Sequence, residues 1–325
     1  APANGTAEAQ KTWVNGPDTK PDIWLQLYRS AGGETPRAVP TDQAPIKRLR
    51  FPETTASWAN LTETDLNGRP YTFTIVELNT DAVDAPPPNY QKVENGLNVT
   101  NTYVIPTDGT ATGNVIWVDG PRIKPMVWLK LYRVLEGGTR EEVPGAGLMQ
   151  LESGTTSVTW TGLEKTDING KPYTFSVQEV DGTGADLTPE NYRKSESGMT
   201  VTNIYVVPRK ILQVTKVWEG GPEPKPTVWI MLKRRIENGE WENIETGVEK
   251  IVPGQTSYMY GTLPATDING NPYIHTVEEV NQDGTPITLP NYQIAVDGLQ
   301  ITNTYVIPKN GSVTATKVWD GGSEP

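Results

Sequence analysis

At 325 residues the chain has room for two or three domains, yet with Cys 0 and His 1 it can hold no disulfide, no thiolate metal site and no recurrent cysteine or histidine chemistry. A formal net charge of −11 with no basic stripe argues against a nucleic-acid partner. No window reaches the ~18 uninterrupted apolar residues of a membrane span, and Gly (31) and Pro (28) imply frequent turns.

The opening Ala1-Pro2-Ala3-Asn4-Gly5 has no signal-peptide pattern and reads as a processed or excised end. The first predicted strand follows. Ala7, Ala9, Lys11 and Trp13 share one face of a period-2 pattern, alternating with Glu8, Gln10 and Thr12. A lysine on an apolar face is costly unless it is paired, neutralised or consumed by chemistry. The same slot recurs at Lys216, among Leu212, Val214 and Trp218, and at Lys317, among Val313, Ala315 and Trp319.

The recurrence belongs to a repeat. Trp13, Trp117, Trp218 and Trp319 stand at intervals of 104 (117 − 13), 101 (218 − 117) and 101 (319 − 218) residues. The first three are each followed eleven positions later by Trp24, Trp128 or Trp229. Then come Thr64-Asp65-Leu66-Asn67-Gly68, Thr166-Asp167-Ile168-Asn169-Gly170 and Thr266-Asp267-Ile268-Asn269-Gly270, and each unit closes on a strand carrying Asn101, Asn203 or Asn303. A period near 100 residues suits independent domains with their own cores. Short alternating runs between Gly, Pro, Asn and Asp clusters predict all-β sandwiches. Boundaries fall after Pro106, Pro208 and Pro308, giving domains at 1–106, 107–208 and 209–308, with 309–325 as a linker and the first strand of an incomplete fourth repeat. Linkers this short predict an extended rod, and the fragment suggests a piece of a longer array.

Two more polar residues share the lysine's situation. In the closing strands Asn101, Asn203 and Asn303 interrupt apolar faces. After each Asn-Gly turn, Glu77, Glu179 and Glu279 share a face with Tyr71, Phe73 and Ile75 or their equivalents. A Lys, a Glu and an Asn thus point inward from a first, a penultimate and a last strand, and first and last strands are commonly neighbours. Burial favours a neutral amine and a neutral acid. Such an amine can attack an Asn carbonyl polarised by the acid and expel ammonia. The alternative is a plain buried Lys–Glu ion pair, which is rarely net stabilising and leaves the inward Asn without a reason.

On Lys216-Val217-Trp218, Phe73-Thr74-Ile75-Val76-Glu77, His275-Thr276-Val277-Glu278-Glu279, Thr100-Asn101-Thr102-Tyr103 and Thr302-Asn303-Thr304-Tyr305, the chain resembles the Cna-B family of Gram-positive surface proteins. The resemblance covers three modules and a fragment. It implies Ig-like sandwiches with intramolecular Lys–Asn isopeptide bonds assisted by a Glu, in adhesin stalks or in sortase-assembled pilus shafts. It assigns Lys11, Glu77 and Asn101 to the first module, Lys216, Glu279 and Asn303 to the third, and Lys317 to the fourth. In the second, Val115 holds the lysine slot, so Glu179 and Asn203 are expected to remain as a remnant that lacks its lysine, and no bond is implied.

The resemblance therefore implies a structural stalk rather than an enzyme, displayed outside the cell on a wall-anchored bacterial protein. Its partners would be flanking repeats, with any host or matrix ligand reached by regions outside this segment. No cofactor or metal is called for. The rivals are a pilus shaft, although Leu-Pro-x-Thr-Gly is not present, and a matrix or glycan module using the outward Trp24, Trp128 and Trp229, which are read here as local packing. Pro308-Lys309-Asn310 is read as linker rather than a pilin motif, His275 as a core aromatic substitute for Phe73 and Phe175, and the Asp-x-Asn-Gly stretches as hairpin turns rather than calcium loops.

Overall fold

The computed structural model describes residues 3–322. The predicted start at Ala1-Pro2 and the last residues of the fourth repeat, Ser323-Glu324-Pro325, lie outside the described residues. In the first repeat the strands are β1 Gly5–Val14, β2 Ile23–Ala31, β3 Arg37–Ala38, β4 Lys47–Leu49, β5 Thr55–Leu61, β6 Tyr71–Leu78, β7 Tyr90–Asn95 and β8 Asn98–Tyr103. The second has β9 Gly109–Val118, β10 Val127–Val134, β11 Glu141–Glu142, β12 Met149–Leu151, β13 Ser157–Leu163, β14 Thr174–Val180, β15 Tyr192–Ser197 and β16 Thr200–Tyr205. The third has β17 Arg209–Glu219, β18 Val228–Arg235, β19 Glu242–Ile251, β20 Ser257–Pro264, β21 Ile274–Val280, β22 Tyr292–Asp297 and β23 Gln300–Tyr305.

The first repeat is a two-sheet sandwich. One sheet runs β5-β1-β8-β7, and in the other β2 pairs with β3, β4 and β6. Alternation builds it: Ala7, Ala9 and Lys11 of β1 and Ile23, Leu25 and Leu27 of β2 are buried, while their neighbours are more exposed. Each isoleucine or leucine removed from water this way contributes about 1.5–3 kcal/mol. The third repeat copies the plan with sheets β20-β17-β23-β22 and β19-β18-β21. In the second, β9 pairs with β13, and β10 with β11, β12 and β14. The chain falls into two compact units. One joins the first repeat, up to Ile116, to Met126–Leu187 and Ser195–Val201; the other joins Trp117–Pro125 and Thr188–Lys194 to the third repeat.

Three expectations need correction. The glutamate strand β6 is not penultimate, because β7 intervenes, and it lies in the sheet opposite β1 and β8. The Asn-Gly turn does not join two paired strands: it connects β5 and β6, which belong to different sheets, and its short stem is closed by the antiparallel bridge Thr64–Pro70 and by the Tyr71 N–H on the Glu63 carbonyl. Asp65 shapes this turn instead, its Oδ1 accepting the N–H groups of Asn67 and Arg69. Finally, the segment 309–322 contains no strand and is exposed throughout. A lone first strand has no ladder to satisfy its backbone and no opposite sheet to cover its apolar face.

His275 is half-buried in the third repeat, edge-on to Tyr273 at 6.3 Å, with both ring nitrogens shielded from solvent. Burial, aided by Lys210 and Arg234, lowers its pKa to about 4. The unfolded chain therefore binds the extra proton first, and the third repeat loses stability as pH falls from about 6.5 towards 4. Thermal unfolding across that range should show this loss, and His275→Phe should remove it; an unchanged pH profile in the variant would contradict the assignment.

Candidate functional site

The site of the first repeat grows from strand register. β1 and β8 run parallel, with Lys11 opposite Val99 and Trp13 opposite Asn101. Parallel strands place same-face residues side by side, so Lys11 and Asn101 both project into the sandwich. Glu77 reaches them from the opposite sheet, where it pairs with Leu25. All three are buried, and the Lys11 and Glu77 side chains have 0% exposure. Lys11 Nζ donates to Glu77 Oε2 at 2.6 Å, and Asn101 Nδ2 donates to Glu77 Oε1 at 2.7 Å. One carboxylate thus bridges the amine and the amide, while Asn101 Oδ1 has no hydrogen-bond partner.

The third repeat reproduces the group. Lys216 lies opposite Ile301 and Trp218 opposite Asn303, again in parallel. Asn303 Nδ2 donates to Glu279 Oε1 at 2.9 Å, and Lys216 Nζ lies 3.4 Å from Glu279 Oε2. Burial lowers the pKa of both lysines to about 8, against the pull of Glu77 and Glu279. The nearby tryptophans explain the Lys-x-Trp spacing. Residues two apart on a strand share a face, and Nζ of Lys11 lies 4.2 Å from the Trp13 ring centroid, that of Lys216 4.0 Å from Trp218. Each ring covers the amine and stabilises whatever charge it carries.

In the second repeat Val115 fills the lysine slot and is 1% exposed, and Glu179 and Asn203 are fully buried. Lys317 lies in the exposed segment against Trp319, so it is not brought into a core. Sequence reasoning missed two contributors. Tyr90 of β7 stacks edge-on between Trp13 and Tyr103, as Tyr192 does between Trp117 and Tyr205, and Tyr292 between Trp218 and Tyr305. The signal was there, as an Asn-Tyr pair once per repeat at 89–90, 191–192 and 291–292. Glu94 of β7 accepts the backbone N–H of Glu77 at 2.7 Å, and Glu196 does the same for Glu179 at 3.0 Å. The third repeat has Val296 at that place.

The family model for the Cna protein B-type domain matches residues 7–102, 116–204 and 212–304. The chain belongs to the Cna protein B-type domain family. It is 31% identical over 232 residues to the collagen adhesin of Staphylococcus aureus, an alignment covering 68% of this chain and 18% of that protein. The chain thus spans under a fifth of this relative's length. Among solved structures, two B repeat units of the Staphylococcus aureus collagen-binding protein align with 93% of this chain and 74% of theirs, at 20% identity and TM-score 0.37. The major pilin of Streptococcus pyogenes aligns with 94% of this chain and 99% of its own, at 12% identity and TM-score 0.24.

Trp24, Trp128 and Trp229 are half-buried on the faces away from the cores. The Arg48 guanidinium sits over Trp24 at 5.3 Å, and a Cβ placed on Gly182 would meet the Trp128 ring at 3.3 Å. The Trp24 and Trp128 rings thus lie against their own repeats. Trp128→Ala should lower the stability of the second repeat by about 2 kcal/mol, less than the roughly 3–5 kcal/mol for a core aromatic because the ring is half-exposed; calorimetry showing no change would return the ring to the role of a free surface.

Proposed function

We propose that this chain is part of the structural stalk of a bacterial surface adhesin, stiffened by self-formed Lys11–Asn101 and Lys216–Asn303 isopeptide bonds. Each repeat is one module, at 1–106, 107–208 and 209–308. Membership of a family of adhesin and pilin domains supports an extracellular location. The observation that carries the reading is the Glu77 carboxylate bridging a buried lysine amine and a buried asparagine amide, with the same three residue types at Glu279.

The chemistry follows from that bridge. A Lys11 ammonium beside a Glu77 carboxylate and a neutral amine beside a carboxylic acid differ only by one proton moved across a 2.6 Å contact. In a dry core the uncharged form gains, because neither partner then has to be held charged away from water. The neutral Nζ attacks Cγ of Asn101, and the Glu77 acid, which faces Nδ2, protonates the departing nitrogen. The Cγ–Nδ2 bond breaks, the Nζ–Cγ bond forms, the carboxyl group recovers a proton from Nζ, and ammonia leaves. Held side by side, the groups react as if at very high local concentration. The reaction turns over once, on the protein itself. The second module has no amine in the slot and carries no bond.

Intact mass tests this directly. The chain should weigh less than its sequence by two molecules of ammonia, and Glu77→Ala and Glu279→Ala should each restore one. A full sequence mass, or a cross-linked peptide containing Asn203, would overturn the assignment.

A further inference from the structure

Each repeat ends its first strand in the same corner. Asn15-Gly16-Pro17, Asp119-Gly120-Pro121 and Gly220-Gly221-Pro222 follow the tryptophan strands, and the two residues before each proline all have positive φ between 60° and 89°. At Gly16, Gly120 and Gly221 a Cβ would lie within 2.6 Å of the hydroxyl of Tyr90, Tyr192 or Tyr292, so only glycine fits. A lysine closes every corner: Lys20 donates to the carbonyls of Asn15 and Gly16, Lys124 to Asp119 and Gly120, and Lys225 to Gly220 and Gly221.

Two of these corners are engaged, each within one compact unit, by the Thr-Asp-Ile-Asn-Gly turn of the next repeat. Gly16 N–H donates to the Ile168 carbonyl at 2.9 Å, and Gly120 N–H to the Ile268 carbonyl at 2.8 Å. A Cβ on Gly170 would strike Pro17 at 2.5 Å, and one on Gly270 would strike Pro121 at 2.5 Å, so each proline ring rests on a bare glycine. Tyr103 Oη meets Thr166 Oγ1 at 2.9 Å, and Tyr205 Oη meets Thr266 Oγ1 at 3.0 Å. Both threonine hydroxyls already donate to the following Asp carbonyl, which makes the tyrosines the donors.

The same surfaces stand open at two further places. The third repeat has the corner Gly221-Pro222, its lysine cap, and Tyr305, which is half-buried where Tyr103 and Tyr205 are buried. The first repeat has the turn Thr64–Gly68, held by the same Asp65 hydrogen bonds as its counterparts. Its Leu66 is 102% exposed, against 44% for Ile168 and 49% for Ile268, and a Cβ on Gly68 would meet nothing within 4 Å. We propose that both are docking surfaces for further repeats of this kind joined head to tail: Gly221-Pro222 with Tyr305 takes a Thr-Asp-x-Asn-Gly turn, and the Thr64–Gly68 turn takes a Gly-Pro corner and its tyrosine. The occupant follows from continuity with the two filled joints, which use the same atoms. Two hydrogen bonds and a proline on a glycine fall far short of a free-standing interface, so the contact needs the high effective concentration of a short linker. This deepens the stalk reading and is independent of the cross-links within each repeat.

The test is amide hydrogen exchange, first on the chain itself and then on two copies fused so that Val306-Ile307-Pro308 leads into the second copy's β1. In the single chain the Gly16 and Gly120 amides should be protected and the Gly221 amide should exchange faster. In the fusion, Gly221 of the leading copy should slow by about tenfold or more. Gly68→Asn in the trailing copy should reverse this, since Asn tolerates positive φ but adds a Cβ where the proline must sit. Equal Gly221 rates in chain and fusion, insensitivity to Gly68→Asn, or equal slowing by an unlinked second copy would each overturn the proposal. Intact mass stays the separate readout of the cross-links, so failure of one idea is distinguishable from failure of the other.

Discussion

Everything in the first and third repeats depends on the burial of a lysine amine beside a carboxylate and an amide. Removing two opposite charges from water costs several kcal/mol per ion, and an ion pair recovers that only with complete hydrogen bonding. Here the arrangement falls short: Asn101 Oδ1 and Asn303 Oδ1 have no partner. As a permanent ion pair the group would be an expensive way to fill a core. As a set of reactants the expense has a purpose, because the same desolvation that penalises the charged lysine makes its amine nucleophilic.

The placement also suits a load-bearing module. The lysine lies on the strand that enters the repeat and the asparagine on the strand that leaves it, and these strands are parallel neighbours. Tension on the two ends would shear that one pairing. The proposed covalent bond between Lys11 and Asn101 would tie entry to exit and bypass most of the sandwich. The second repeat, with Val115 in the lysine slot, would rely on hydrogen bonds and packing alone. The Gly-Pro corners take a different share of the work by fixing neighbours to one another through glycine, proline and tyrosine, with hydrogen bonds and packing rather than a covalent bond.

Much of this was legible in the residues. Period-2 alternation located the strands that carry the site, and a charge on an apolar face marked Lys11, Glu77, Lys216 and Glu279, because burial is where charge is least expected. The parts that could not be read have physical causes. β7 buries only Tyr90 fully, so its pattern resembles a loop. Which sheet holds Glu77 is a matter of long-range pairing, and the Asn-Gly signal suggested a hairpin where an Asp-capped crossover stands. Glu94 acts through its carboxylate on a backbone N–H of another strand, a contact that no periodicity announces. The corners at Gly16, Gly120 and Gly221 read as ordinary turns, since what makes them distinctive lies in the next repeat.

Single-molecule stretching of the whole chain tests the central claim most directly. With Lys11–Asn101 and Lys216–Asn303 joined, force cannot extend the residues between them. The account predicts a single unfolding event, from the second repeat, with a gain of roughly 3.3–3.6 Å for each residue released. Three events of similar length would contradict it, because they would mean that the first and third repeats are held by nothing stronger than the second.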